Sequence, residues 1–201
     1  MKAVLYTFST TGNSLTTARI LSQTLPYDIK IIPIASLKDE QNIDVKESIV
    51  GFVFPIYYGD MPYLVRKVIN QMNFKHQTYI FLMATYRGHP GDIAKRLDDV
   101  LQKRGQSLSL SLGISMPGNS YLSTAEEVKE TLENQRLHIQ EQVEKIVHQE
   151  KVDYSLLEEV PSSLVSYAHN MRGIKSDEKC ISCGICMRIC PMDNIVIEDH
   201  K

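Results

Sequence analysis

Ala3-Val4-Leu5-Tyr6-Thr7-Phe8-Ser9-Thr10-Thr11-Gly12-Asn13-Ser14 decides how the chain folds. Its first six residues are mostly apolar and include the β-branched Val4 and Thr7, with no polar alternation, as in a strand covered on both faces. A turn of Ser, Thr, Gly and Asn follows. Leu15, Ala18, Ile20, Leu21 and Leu25 then recur at near-helical spacing until Pro26 stops them. Strand, hydroxyl-rich turn and helix in this order open a βαβ unit.

The pattern repeats. Ile29–Ile34, Ile49–Phe54, Tyr79–Ala84 and Leu108–Ile114 are the further strands. Between them lie two helical stripes, Leu64, Val65, Val68, Ile69, Met72 and Ile93, Ala94, Leu97, Val100, Leu101, the second closed by Lys103-Arg104-Gly105. Continuous apolarity in the strands predicts a parallel sheet with helices on both faces and right-handed crossovers. The expected fold is α/β: a flavodoxin-like, doubly wound, five-stranded parallel sheet of order 2-1-3-4-5. A long last helix starts at a capping box, Thr124-x-x-Glu127 or Ser123-x-x-Glu126, and carries the stripe Ala125, Val128, Leu132, Ile139, Val143, Ile146, Val147. Its acidic face reads as solvated. The expected domains are residues 1–150, a linker 151–175 with a short helix around Ser163–Met171, and a small segment 176–201.

The 201 residues suit one full domain and a remainder, and 43% hydrophobic residues suffice for a core. A net charge of −2 excludes a basic nucleic-acid binder and a disordered acidic polymer. The charge is uneven: +4 over residues 1–120, −5 over 121–174 and −1 over 175–201. No apolar run nears the roughly 18 residues of a membrane span, and the N-terminus reads as strand and turn rather than a signal peptide. The expected localisation is cytoplasmic.

Three loops leave the carboxyl edge of such a sheet, where ligands of open α/β folds bind. Ser9-Thr10-Thr11-Gly12-Asn13-Ser14 enters a helix with backbone N–H groups and hydroxyls that suit a phosphate; a plain helix cap is the alternative. The P-loop and Gly-x-Gly-x-x-Gly patterns are both absent. Pro55, Ile56, Tyr57, Tyr58, Gly59 (with Asp60) and Thr85, Tyr86, Arg87, Gly88 supply aromatic faces and backbone donors for a planar ring. Ordinary Gly/Pro turns are the other explanation, but on one edge the three loops together point to a flavin.

All four cysteines fall within eleven residues, as Cys180-x-x-Cys183-x-x-Cys186-x-x-x-Cys190-Pro191. A disulfide framework would spread them through the fold. Zinc sites usually pair two Cys-x-x-Cys knuckles across a longer gap, whereas this run is that of bacterial iron–sulfur ligation. Gly184 lets the backbone wrap closely. Met187 and Met192 are expected to pack around the thiols. The six histidines show no metal-site spacing.

Together with Phe54-Pro55-Ile56-Tyr57-Tyr58-Gly59 and Met116-Pro117-Gly118-Asn119, these motifs make the whole chain resemble the fused flavodoxin–ferredoxin proteins of anaerobic prokaryotes. The resemblance implies FMN, its phosphate in the first loop and its ring flanked by the loops at 55–60 and 85–88. It also implies a [4Fe–4S] cluster on Cys180, Cys183 and Cys186. Family members carry two cysteine runs, whereas this sequence holds one. The expected explanation is a truncated chain; the alternative is that Cys190 completes a single site. Flavodoxins are usually acidic, which residues 1–120 are not, and Arg87 stands in the loop expected at the flavin, where it either faces the ring or faces solvent.

The expected function is electron transfer between FMN and iron–sulfur cluster within one chain, as a low-potential carrier of anaerobic metabolism with a redox protein as partner. No acid–base pair or activated nucleophile marks a catalytic residue. An FMN-dependent oxidoreductase acting on a small-molecule acceptor and a non-catalytic redox-sensing or docking module are the alternatives.

Overall fold

The chain runs β1 (Lys2–Thr7), α1 (Asn13–Thr24), β2 (Asp28–Pro33), a 3₁₀ turn (Ile34–Leu37), β3 (Ile43–Val45), β4 (Ile49–Pro55), α2 (Tyr63–Ile69), β5 (Met72–Phe74), β6 (Tyr79–Tyr86), α3 (Ile93–Gln102), β7 (Leu110–Ser115), α4 (Ala125–Val147) and α5 (Ile185–Ile189). These elements come from a computed structural model that describes residues 1–117, 123–155, 157, 177–193 and 195–197. The helix expected around 163–171, most of the linker, and Gly118-Asn119 lie outside the described residues.

The main sheet has the order β2-β1-β4-β6-β7, and every neighbouring pair is parallel. Counted among themselves, these five strands have the flavodoxin-like order 2-1-3-4-5. Successive side chains on a strand point to opposite faces. Val4, Tyr6, Val50, Phe52, Phe54, Ile80 and Leu82 pack beneath α2 and α3. Leu5, Val53, Phe81, Met83 and Leu112 pack with Ala18 and Leu21 of α1 and with Ile139, Val143 and Ile146 of α4. Both faces need apolar residues, so the strands show no alternation. The parallel register leaves Thr7 beside Val53, Pro55 beside Thr85 and Tyr86 beside Ser115, so the loops after β1, β4, β6 and β7 open on one edge.

Three features depart from the sequence pattern. Met72 is not on α2: the helix ends at Ile69, and Met72 pairs with Ile43 in a small parallel sheet, β3–β5, that the sequence did not announce. Arg104 ties its edge, donating Nε–H to the Met72 carbonyl (2.9 Å) and a terminal N–H to Asn73 Oδ1 (2.8 Å). On α4 the Thr124–Glu127 capping box forms, but Ala125 and Leu132 are exposed and the buried residues are Gln135, Ile139, Val143 and Ile146. Twenty-three helical residues span about 35 Å, whereas a six-residue strand spans about 20 Å, so the first turns of α4 overshoot β7. Beyond residue 150, Val152 N–H donates to the Ser109 carbonyl (2.8 Å) and Tyr154 is buried, its hydroxyl accepting from Ser111 N–H (2.7 Å). No helix among the described residues is long and apolar enough to cross a membrane.

Candidate functional site

At the carboxyl edge the three loops enclose a crevice of about 160 Å³. Ser9, Thr10, Thr11, Asn13 and Ser14 line it from the first loop, Pro55, Ile56 and Tyr57 from the second, and Thr85, Tyr86 and Arg87 from the third. Met116 and Pro117, after β7, close it. They are not among the expected cofactor residues, although the sheet topology that placed the other loops here also places this one. Gly12, Tyr58, Gly59 and Gly88 were expected to touch the ligand. They do not line the crevice and instead hold positive φ in the turns that shape it.

Gly12 precedes α1 at φ 99°, a left-handed conformation that costs glycine little, and α1 has no side-chain cap. The first amides of α1 are therefore left for an anion, with the Ser9, Thr10 and Thr11 hydroxyls beside them. Ser9 Oγ accepts from Gly12 N–H (3.1 Å), and the Thr10 and Tyr57 hydroxyls share a hydrogen bond (3.1 Å) that joins the first loop to the second. Below the crevice the Ser14 and Thr85 hydroxyls meet at 2.7 Å, buried. Gln135 Nε2 donates to Thr17 Oγ1 (3.0 Å), which donates to the Asn13 carbonyl (3.0 Å), so α4 also steadies the start of α1. Replacing Thr85 with Val keeps the shape but strands Ser14 Oγ; chemical denaturation should show a loss of about 1–3 kcal/mol.

Tyr57 and Asp60 exchange two backbone hydrogen bonds (2.9 and 3.0 Å) around Tyr58 and Gly59, both at positive φ, which makes a type I′ turn. Asp60 anchors this loop. Its buried carboxylate accepts from Arg66 on both oxygens (2.7 and 2.8 Å) and from Met61 N–H (2.7 Å), with Arg96 at 3.9 Å. Gly91 sits at φ 64°, and a Cβ there would lie 3.1 Å from Gly59 Cα, so the second and third loops touch backbone to backbone.

A larger cavity, about 770 Å³, opens at the opposite edge between Ser48, Thr78, Asp98 and Tyr154. Three of its polar groups are already engaged. Asp98 accepts from Leu108 N–H and Gln102, Ser109 Oγ from Ile80 N–H, and Tyr154 from Ser111 N–H. The smaller crevice lies at the carboxyl ends of the strands, where open α/β sheets bind ligands, and is the better site.

The four cysteines form no disulfide, and Cys183 and Cys186 are exposed. Ser182 (φ 54°) and Gly184 (φ 71°) curl the chain between them before α5. Among the described residues no three His, Cys, Asp or Glu side chains are close enough to hold a metal ion. The donor set nevertheless suits an iron–sulfur cluster, and binding one would draw such a loop together, since ligation and folding are coupled. Met187 is exposed, and Met192 packs against the core beneath α2 and α3. Asp193 pairs with Lys38, so the segment is seated on the sheet domain. The bond to Asp193 raises the Lys38 ammonium above its ordinary pKa, assisted by the charges of Asp193 and Asp39.

Residues 174–196 match the family described as 4Fe-4S binding domain. No curated protein sequence matches the chain. The chain is similar in structure to a flavodoxin from the domain Archaea, at 15% identity over 72% of this chain and 99% of that one, with a TM-score of 0.42. For a Streptococcus pneumonia TIGR4 flavodoxin the figures are 16%, 72%, 99% and 0.43. For an azoreductase from Bacillus anthracis str. Sterne they are 12%, 72%, 100% and 0.47. By its strand order and its matched cysteine segment, the chain is a flavodoxin-like α/β domain followed by a 4Fe-4S-type segment.

Proposed function

We propose that the protein is an electron carrier that holds FMN in the carboxyl-edge crevice and a [4Fe–4S] cluster on its C-terminal thiols, exchanging electrons with a redox protein. The observation that carries this is the joining of two candidate sites, a loop crevice and a cysteine segment. The uncapped start of α1 and the Tyr57 and Tyr86 loops converge on one crevice, and the cysteine segment sits on the same domain through Met192 and the Lys38–Asp193 pair. FMN would supply one- or two-electron chemistry; the protein would supply orientation and electrostatics. The backbone donors of α1 and the neighbouring hydroxyls would hold the phosphate, and Pro55–Tyr57 with Thr85–Arg87 would flank the ring. Cys180, Cys183 and Cys186 would ligate the cluster.

Among the described residues no carboxylate, histidine or cysteine lines the crevice. The test is to quantify FMN, iron and acid-labile sulfide in protein prepared without oxygen. About one FMN and about four irons per chain are expected. A chain that takes up neither would remove the proposal, and FMN without iron would leave only its flavin half.

Arg87 lines the crevice, where a cation favours the reduced, anionic ring. Arg87→Gln should lower the two-electron potential of bound FMN by roughly 10–30 mV, on the order of 0.5–1.4 kcal/mol. Redox titration reads this directly, and an unchanged potential would place the guanidinium away from the ring.

A further inference from the structure

We infer that Lys38 sets the reduction potential of the iron–sulfur cluster: at the turn that opens with Cys190, the sheet domain supplies a fixed positive charge that favours the reduced cluster. This rests on the iron–sulfur half of the proposal above. Both arrangements that the cysteine run allows, closure of its own cluster and ligation of another, make Cys190 an iron ligand. Lys38 is held from three sides beside it. It follows the 3₁₀ turn Ile34–Leu37, in which Ile34 is buried and Ala35 and Leu37 pack against the core. Its carbonyl accepts from Lys67 Nζ of α2 (2.7 Å). Its ammonium pairs with Asp193. Asp193 stands at φ 50° and closes the turn, its N–H donating to the Cys190 carbonyl (3.3 Å), while Met192 packs against the core. The negative charges that face Lys38 are those of Asp193, Asp39 and the Cys190 thiolate.

An exposed ion pair adds little to stability, and two opposite charges in equal surroundings largely cancel at a distance. Burial breaks the balance here. The Lys38 side chain is 26% exposed and that of Asp193 76%, so water screens the carboxylate far more than the ammonium. The Lys67 ammonium, drawn to the Lys38 carbonyl, adds a second cation on the same side. Net charge is among the factors that set the potential of an iron–sulfur cluster, and a cation beside it favours the added electron. The device has no signature in the sequence, because Lys38 and Asp193 are 155 residues apart.

The test uses the full chain prepared without oxygen. Iron content is measured first, and the cluster potential is then read by electron paramagnetic resonance during a redox titration. Lys38→Met keeps the reach of the side chain and removes its charge. At the wild-type midpoint its ratio of reduced to oxidised cluster should fall about threefold. Asp193→Asn removes the opposing charge and should raise that ratio, by less, since Asp193 is the more screened. Lys38→Arg keeps the charge and should hold the wild-type ratio. Opposite signs separate a charge effect from a loosened seat, because Lys38→Met and Asp193→Asn break the same ion pair and a loosened seat would move both potentials the same way. A wild-type potential in Lys38→Met, or shifts of one sign in both variants, overturns the inference and leaves the iron–sulfur reading standing. Wild-type chain that holds no iron overturns both.

Discussion

Asp60→Ala is expected to destabilise the protein by about 2–4 kcal/mol, because removing one partner of a buried ion pair strands the groups that faced it. Met61 N–H loses its acceptor, Arg66 loses both of its bonds, and the nearby Arg96 loses a counter-charge. Arg66 is half-buried and regains some hydration, which keeps the cost below that of a fully enclosed pair. In a chain of this size each kcal/mol moves Tm by about 2–4 °C, so a fall of roughly 5–15 °C should appear in a melt. The turn at Tyr57–Asp60 would lose its anchor as well, and affinity for the proposed FMN should fall with stability. Asp60→Asn still accepts from Met61 N–H and one Arg66 donor, so it should lose about half as much. Equal losses for the two variants would mean that the charge, and not the hydrogen bonds an amide can keep, carries the whole effect.

Gly51→Val should cost about 3 kcal/mol or more, for the opposite reason: too much matter rather than too little charge. Gly51 lies inside β4, and a Cβ built there falls 2.4 Å from Leu5 Cδ2 and 2.4 Å from Phe81 Cζ. Both neighbours are wholly buried, so neither can retreat toward solvent. Pairing Gly51→Ala with Phe81→Leu should recover part of the loss, because the space taken at one position is released at the other. Denaturation of both single variants and the double gives the coupling; strict additivity would mean that the backbone shifts to absorb the methyl group.

The main sheet was legible because burial on both faces leaves an unbroken apolar run, as in Ile49–Phe54. The β3–β5 pair was not, since three residues such as Ile43-Asp44-Val45 are too few to show a period, and Met72 continues a helical stripe equally well. The crevice loops could be placed because a parallel sheet sends all its strand ends to one edge, which assembled Ser9–Ser14, Pro55–Tyr57 and Thr85–Arg87 without any catalytic motif. The anchoring by Asp60 was hidden, because its partners Met61, Arg66 and Arg96 come from the loop and from two different helices. Gln135 was hidden too: a glutamine in an amphipathic helix reads as solvent-facing, yet it is buried against Thr17.

The backbone contact between Gly59 and Gly91 has a practical meaning for anyone redesigning the crevice by directed evolution. A library that randomises the second and third loops independently would lose many members, because a side chain at Gly91 strains its backbone and presses on the neighbouring loop. The productive diversity lies at Ile56, Tyr57, Tyr86 and Arg87, which face the crevice. Gly59 and Gly91 are better held constant, as the rivet that lets two loops be re-dressed as a single part.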